Sequence, residues 1–417
     1  MPSLDDYKSQ ARLEMENGDY GSAIRSLSEA IAIERDNVTL YFTRGLAYFM
    51  RKDYDLAIED LTAVLAVDHQ NLDALLTRAH AYFHQDALED AFQDYSEYIN
   101  IAGDTPTAPY ERRAIILTRL GKIQPALADY TKAIAQADDN NRGKHYLSRA
   151  TLYYSLGDYE ATIADTSSAI DNNFPAPEVY SARGSAYAQL EQWGDALQNY
   201  DKAIELDKRS ASAYYNRGAV HYRIGDLAQA ISDFSASLRI NSGDMSVLYA
   251  RAIAYFDNNE LRNARRDFSK ILKVQPQNSA VYHKRGQLYS LQDKFDKALA
   301  DLQEAVRLAP TSSAYLLSLG ELEIELESYD NAIGFLKRAL LNHQSKTDKL
   351  YQQIVAGLAL AYYLNADDEQ AVQYYNMLVS QDLAYGDSAF WQSRFAWSNI
   401  LIEATEEMIA YIEAIID

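Results

Sequence analysis

Two sets of residues in this sequence have the types and spacing that chemistry at a site requires. Arginine and aspartate recur sixteen residues apart along most of the chain, and two histidines, His80 and His84, lie four residues apart. A row of arginines could bind an acidic ligand, and two histidines on one helical face could hold a metal ion. Cysteine is absent, which excludes a thiolate nucleophile, a cysteine metal site and disulfide bonds.

The arginine row has a structural explanation that we favour over a ligand site. An eighth arginine, Arg183, has Asn199 in place of the aspartate, and where the arginine itself is lost, at Gln10 and Leu319, the acid is lost too. Joint presence and joint loss predict direct contact, so we expect internal ion pairs that fix how two helices register. The predicted pairs are Arg44 with Asp60, Arg78 with Asp94, Arg113 with Asp129, Arg149 with Asp165, Arg217 with Asp233, Arg251 with Asp267, and Arg285 with Asp301.

The histidine pair does not by itself predict a metal site. No acid stands between His80 and His84 in an HExxH pattern, and no third ligand lies nearby in the sequence. The chain also lacks a glycine-rich phosphate loop and a recognisable Ser/His/Asp arrangement. We therefore expect no metal, no cofactor and no enzymatic activity.

Charge and hydropathy restrict the class of partner. The formal net charge is −21, from 60 acidic and 39 basic side chains, which argues against nucleic-acid binding. No apolar run reaches the roughly 18–20 residues that a membrane span needs, and the N-terminal Met-Pro-Ser-Leu-Asp-Asp does not resemble a signal segment. We expect a soluble, acidic, cytoplasmic protein; the sequence assigns no oligomeric state.

The elements that position these residues recur with a period close to 34 residues. A small residue recurs in ten segments, and a second small residue follows each one after twelve residues. Large apolar residues lie four before and three after the first small residue, so they share one helical face. Gly18 and Gly121 fall between the two stripes, where a helix ends in a left-handed cap, so each segment is predicted to be helix, tight turn, helix. The first series is Ala11, Gly45, Ala79, Ala114, Ala150, Gly184, Gly218, Ala252, Gly286 and Gly320; the second is Ala23, Ala57, Ala91, Ala126, Thr162, Ala196, Ala230, Ala264, Ala298 and Ala332.

This pattern resembles the tetratricopeptide repeat, in which small residues at positions 8 and 20 alternate with aromatic residues at positions 4, 11 and 24. The resemblance covers residues 4–346 as ten tandem repeats of about 34 residues. It departs at position 32, where the family favours proline and only Pro276 and Pro310 fit. Residues 347–385 fit an insertion plus a divergent eleventh repeat, and residues 386–417 fit one or two C-terminal capping helices. The large aromatic residues of this last segment could alternatively form a docking surface.

The resemblance implies an all-α, right-handed superhelical solenoid of antiparallel helix pairs, with about 11 repeats and a capping helix. It also implies that the first helices line a concave face, and that the chain is a scaffold or adaptor binding a protein or peptide there. The alternative is a regulatory or sensing subunit of a larger enzyme complex. Two clusters at positions 5 and 12 are the candidate partner-binding residues, unless their rings only fill seams between repeats. They are Phe42, Phe49, Leu76 and Phe83 in one cluster, and Tyr215, Tyr222, Tyr249 and Phe256, with Asn216 and Arg223, in the other.

Overall fold

The computed structural model describes residues 2–103, 109–395 and 397–416, and over these residues the chain is all-α, as the repeat pattern predicts. Its contacts form two compact units, Met1–Arg209 and Ser210–Asp417. The first unit contains α1 (Leu4–Glu16), α2 (Tyr20–Ile33), α3 (Val38–Arg51), α4 (Tyr54–Val67), α5 (Leu72–His84), α6 (Leu88–Ala102), α7 (Tyr110–Arg119), α8 (Ile123–Gln136), α9 (Asp139–Ser155), α10 (Tyr159–Asp171), α11 (Pro177–Gln189) and α12 (Trp193–Leu206).

The second unit continues the same arrangement and then changes it. Its helices are α13 (Ala211–Arg223), α14 (Leu227–Ile240), α15 (Met245–Asp257), α16 (Leu261–Val274), α17 (Ser279–Ser290), α18 (Phe295–Leu308), α19 (Ser313–Glu325), α20 (Tyr329–Asn342), α21 (Lys349–Leu364), α22 (Asp368–Val379), α23 (Ser388–Arg394) and α24 (Asn399–Ile416). A short 3₁₀ helix, Leu383–Gly386, precedes α23. From α1 to α22, each odd-numbered helix packs against the next helix as a hairpin.

The small residues allow the two helices of a hairpin to approach closely. A Cβ atom added to Gly286 would lie 2.8 Å from Cγ of Leu302, and one added to Gly320 would lie 2.7 Å from Cγ of Leu336. These distances are shorter than normal carbon contacts, so the first helix has room only for hydrogen there. The leucine of the second helix fills the space that the missing side chain leaves.

The tight turn of each hairpin uses a left-handed residue whether or not that residue is glycine. Gly18 and Gly121 have φ of 74° and 71°, as their positions predict. The next amide closes the turn; Asp53 N–H, for example, donates to the Tyr48 carbonyl at 2.9 Å. In seven other hairpins of the described chain, a residue with a side chain adopts this left-handed conformation. The conformation costs about 1–2 kcal/mol of conformational free energy per residue. These residues are Lys52, Asp86, Glu191, Asn259, Asp293, Glu327 and Ala366.

The structure brings each predicted arginine and aspartate together across its hairpin. In the pair formed by Arg149, Nε donates to Asp165 Oδ2 at 2.8 Å and Nη2 donates to Oδ1 at 2.7 Å. The other six pairs have the same bidentate geometry. Arg183 instead donates from Nε to Oδ1 of Asn199 at 2.7 Å. The aspartates are buried, so each carboxylate depends on its arginine for charge compensation.

Seven of these arginines also bind the preceding hairpin, which the sequence did not lead us to expect. Nη1 of Arg149 donates to the Thr131 hydroxyl at 2.8 Å, and Tyr146 and Tyr153 each lie with the ring centroid 5.8 Å from its Cζ atom. One guanidinium therefore joins three helices and lies against aromatic rings. Equivalent hydroxyl contacts join Arg44 to Ser28, Arg78 to Thr62, Arg113 to Ser96, Arg183 to Ser167, Arg251 to Ser235, and Arg285 to Ser269.

The C-terminal segment is part of the core of the second unit. Trp391, Met408 and Ile412 have no exposed surface, and Phe395 and Ile402 are also buried. Trp391, Phe395, Met408 and Ile412 belong to a hydrophobic core that includes residues of α18 to α22. Trp391 and Phe395 are therefore unavailable as an exposed docking surface.

We predict that Arg149→Ala destabilises the first unit by about 3–5 kcal/mol, because it leaves the buried Asp165 carboxylate without a counter-ion. Arg149→Ala combined with Asp165→Ala should cost less than the sum of the two single changes. Urea denaturation of the three variants measures the coupling, and full additivity would contradict an energetic pairing.

The chain supplies its own matched control for this prediction. Arg183→Ala leaves a neutral amide, Asn199, and should therefore cost less than Arg149→Ala, about 1–3 kcal/mol. Arg12→Ala removes an exposed pair with Glu16 and should change stability by less than about 1 kcal/mol.

Candidate functional site

The ten predicted partner-binding residues all lie on first helices of their hairpins. The eight apolar and aromatic side chains are half-buried, Asn216 is half-buried and Arg223 is exposed. Thr43 and Thr77, which flank the first cluster, donate their hydroxyls to the carbonyls of Thr39 and Asp73 in their own helices. These two hydroxyls can therefore only accept a hydrogen bond from a partner, and the exposed parts of the rings provide the apolar contact area.

In the first unit, the aromatic rings form one continuous group across α3, α4 and α5. The centroid of the Phe49 ring lies 5.8 Å from that of Tyr54, 6.2 Å from His80 and 6.1 Å from His84. The Tyr54 and His84 rings stack with centroids 5.1 Å apart, and Phe83 meets His84 edge-on at 6.2 Å. The two histidines therefore belong to an aromatic surface, which we call the first-unit cluster: Phe42, Phe49, Tyr54, Leu76, His80, Phe83 and His84.

Positive charge borders the first-unit cluster. Arg119 lies over the ring of Phe83, 5.9 Å from its centroid, and pairs with Asp86. Arg112 is exposed and forms no hydrogen bond or ion pair with the described part of the chain. Burial, Arg112 and His84 together lower the pKa of His80 to about 4. The cluster therefore carries a neutral imidazole, that of His80, beside an exposed guanidinium at neutral pH.

Behind His80, the hydroxyl of Tyr95 is buried and has no hydrogen-bond partner among the described residues. The ring centroids of His80 and Tyr95 lie 5.7 Å apart. Burial raises the pKa of Tyr95, so its hydroxyl stays protonated and can donate. The sequence pattern placed neither Tyr95 nor Tyr54 in this group. The spacing of His80 and His84 on one helical face was the feature that could have indicated a cluster here.

The second predicted cluster is more fully occupied by contacts of its own unit. The ring of Tyr215 lies 5.8 Å from that of Phe234, and the ring of Tyr249 lies 6.2 Å from that of Phe268, where both partners are core residues of second helices. The Tyr222 hydroxyl donates to Asp257 at 2.5 Å, and Lys284 lies over Phe256. Tyr215 and Tyr249 therefore pack within their own hairpins, whereas Tyr222 and Phe256 also contact the hairpin that follows.

Across residues 2–103, 109–395 and 397–416, no three His, Cys, Asp or Glu side chains are grouped so that they could hold a metal ion. None of the helices described there is long and apolar enough to cross a membrane.

The geometry defines a class of protein, a helical repeat protein that presents aromatic side chains from successive hairpins. Comparison with protein families identifies the class further. One family model described as TPR repeat and three described as tetratricopeptide repeat match more than half of the chain between them. The matched residues are 11–51 and 184–225 for the first, and 51–109, 211–244, 249–313, 283–349 and 357–382 for the others. The chain belongs to the tetratricopeptide repeat family.

Several solved structures are similar to the chain at low sequence identity, whereas no curated protein sequence matches it. Yeast Tom70 is 19% identical, with 99% of this chain and 95% of that chain covered and a TM-score of 0.38. The C-terminal part of a TPR repeat-containing protein from Cytophaga hutchinsonii is 19% identical, with 70% and 98% covered and a TM-score of 0.45. YrrB, described as a TPR protein with an unusual peptide-binding site, is 21% identical, with 46% and 97% covered and a TM-score of 0.39. Likenesses at this level concern the fold alone.

We predict that His80 makes the first unit less stable in mild acid. Its pKa of about 4 in the folded chain lies below the ordinary value of 6.5, so the unfolded chain binds a proton more readily. The stability that neutral His80 contributes is present above about pH 6.5 and is lost as the pH falls towards 4. Between pH 7 and pH 5 the loss should be on the order of 1 kcal/mol, reduced from the full shift because the ring is partly exposed.

Urea denaturation at several pH values checks this prediction against a His80→Gln variant, which cannot titrate. The wild-type chain should lose more stability than the variant between pH 7 and pH 5. Equal pH dependence in the two chains would contradict a depressed pKa at His80, and an NMR titration of the imidazole would identify the group directly.

Proposed function

We propose that this chain is a non-catalytic scaffold that binds a peptide segment of a partner protein on the first-unit cluster. The proposal is carried by one observation: half-exposed Phe42, Phe49, Leu76 and Phe83 repeat on neighbouring first helices, and their surface is continuous with two histidine rings. Aromatic rings of this kind provide large contact areas at little cost in conformational entropy. Membership of the tetratricopeptide repeat family supports protein binding in general, and the cluster is our candidate for its location.

The chemistry of the cluster selects a kind of peptide. A half-buried surface built of Phe49, Phe83 and Leu76 favours an apolar or aromatic side chain. Arg112 lies beside this surface without an ion pair among the described residues, so a carboxylate close to the apolar side chain would gain a charge-assisted hydrogen bond. We therefore propose a partner segment in which an apolar anchor is followed by an acidic residue. Such a segment is attracted to this patch although the chain as a whole is acidic.

A bound carboxylate would also affect His80. Arg112 is one of the groups that hold the pKa of this imidazole down, so neutralising Arg112 should raise it. An acidic peptide should therefore move the pKa of His80 upwards from about 4, and the wholly apolar analogue of that peptide should not. This difference separates recognition of the acid from simple burial of the ring, which would lower the pKa further.

We predict that Phe49→Ala combined with Phe83→Ala weakens peptide binding at least tenfold, because two half-buried anchor rings are removed from the centre of the surface. The probe is a synthetic peptide selected from a displayed random library on the full chain, and fluorescence anisotropy measures its affinity. Arg112→Ala should weaken the acidic peptide several-fold and should reduce the salt dependence of binding.

The second unit provides the matched control. Tyr222→Ala combined with Phe256→Ala also removes two first-helix rings but leaves the first-unit cluster intact, so affinity should stay within about twofold of the wild-type value. Circular dichroism checks that both double variants keep their helical content. Unchanged affinity in Phe49→Ala/Phe83→Ala, or loss of affinity only in the second-unit variant, would exclude the first-unit cluster as the binding surface.

A further inference from the structure

The C-terminal helix α24 has the composition of a ligand for a helical groove. Its buried residues form one stripe along the whole helix, and its other side carries exposed acids, among them Glu403, Glu406 and Glu407. Such a stripe needs an apolar surface to cover. The buried residues are Leu401, Ile402, Thr405, Met408, Ile409 and Ile412.

The surface that α24 covers belongs to first helices. Besides the neighbouring helix α23, α24 packs against α19 and α21. On α19, Leu317 and Ile324 occupy the positions that Phe42 and Phe49 occupy on α3, three residues before and four residues after the small residue. Both are 4% exposed, whereas Phe42 and Phe49 are half-buried. Ala356 and Leu360 on α21 are fully buried in the same core as Leu401 and Met408.

Polar contacts hold the beginning of α24 in place. The Trp397 indole N–H donates to Glu321 Oε1 at 2.5 Å, and the Gln353 amide donates to the same oxygen at 2.7 Å. Ser398 donates to the carboxylate of Glu325, one turn further along α19, while its own oxygen accepts from the Leu401 N–H at 3.4 Å. Two carboxylates of α19 therefore bind the start of α24 through two different donors.

A second anchor lies further along the helix. The Tyr411 hydroxyl donates to Asp368 Oδ2 at 2.7 Å, and the Tyr411 ring lies 5.5 Å from that of Tyr363. Tyr363 on α21 stands at the position that Phe49 has on α3. From Trp397 to Tyr411, the segment that contains α24 therefore lies on the first-helix face, where the repeat resemblance places ligands.

We infer that α24 is an internal ligand of the second unit, and that the surface of α19 and α21 binds amphipathic helices that carry an indole immediately before their first turn. A partner helix of this kind must displace α24 to reach that surface. The inference rests on contacts of the second unit alone and does not depend on the proposed peptide site of the first unit.

A cavity beside the start of α24 gives an incoming helix a place to begin. It has a volume of about 490 Å³, and its lining includes Phe256, Lys284, Ser318, Glu321, Glu325 and Trp397. The cavity exposes the carboxylate side of the Trp397 contact, so a competing donor can reach Glu321 or Glu325 before α24 has left. Exchange can then proceed stepwise from the first turn of α24, without prior release of the whole helix.

The carboxylates at the anchor are sensitive to pH. Burial raises the pKa of Glu321 to about 7, and burial also raises the pKa of Glu325. The other charged groups that line the cavity are Lys284 from α17 and Asp293 from the turn that follows it. A raised folded-state pKa means that protonation stabilises the folded second unit, whereas the hydrogen bonds from Trp397 and Gln353 favour the charged form of Glu321. The contribution of protonation is complete below about pH 4.5 and is lost as the pH rises through about 7.

The test uses the full chain and a fluorescein-labelled synthetic peptide of residues 397–417. In the wild-type chain the surface is occupied, so the peptide should bind weakly. A chain carrying Trp397→Phe and Tyr411→Phe keeps both rings but loses both hydrogen-bond donors, and it should bind the peptide at least tenfold more tightly. Adding Glu321→Ala to that chain should abolish this gain, because the peptide then lacks its anchor.

Two further measurements decide the outcome. Hydrogen exchange should show faster exchange of α24 amides in the Trp397→Phe/Tyr411→Phe chain, while a Glu403→Gln/Glu407→Gln control on the exposed side should match the wild-type chain in exchange and in binding. Equal peptide affinity in the wild-type and anchor-deficient chains would overturn the inference. So would unchanged exchange at α24, because the named anchors would then not hold the helix.

Discussion

The guanidinium group that bridges neighbouring hairpins is the interaction on which the rest of this structure depends. Small residues let the two helices of a hairpin approach, but alanine and glycine pack in several registers equally well. A bidentate bond such as that of Arg149 to Asp165 accepts only one register. The third bond, to Thr131, extends that register to the preceding hairpin. A buried charge network of this kind is costly when incomplete, so it favours one stacking over the alternatives.

Sequence reasoning predicts the parts of this network whose residue types are distinctive. Arginine and aspartate at a constant separation indicate a pair, and joint loss at Gln10 and Leu319 strengthens the indication. The hydroxyl partners keep nearly the same period, but serine and threonine on a helix surface are too common to draw notice. The turns show the opposite case. Residue preference does not place Lys52 or Ala366 in a left-handed conformation; the closure of the hairpin imposes it.

The sequence predicts where the residues of the candidate site lie on their helices, but not how much of each ring remains exposed. Periodicity assigns Phe49 and Tyr249 to equivalent faces of their helices, yet it does not tell which ring remains available. That depends on neighbours from other elements. Phe49 meets two histidines on the next first helix, whereas Tyr249 lies against the core residue Phe268. The repeat pattern also does not predict which surface α24 covers. Trp397, just before this helix, contacts Glu321, which lies 76 residues earlier in the chain.

One pair of helix positions shows that the repeat fixes the geometry of a site but not the ligand that the site binds. His80 and His84 follow their small residue by one and five residues, and Glu321 and Glu325 follow theirs by the same intervals. At the first pair, the two imidazoles join an aromatic surface that no described segment covers. At the second pair, carboxylates accept hydrogen bonds from the C-terminal segment of the same chain. The helix backbone presents both pairs in the same way, since their spacing within the hairpin is the same. What each site binds is therefore set by side-chain chemistry at a few positions, and the packing that keeps the hairpins in register leaves those positions free to vary.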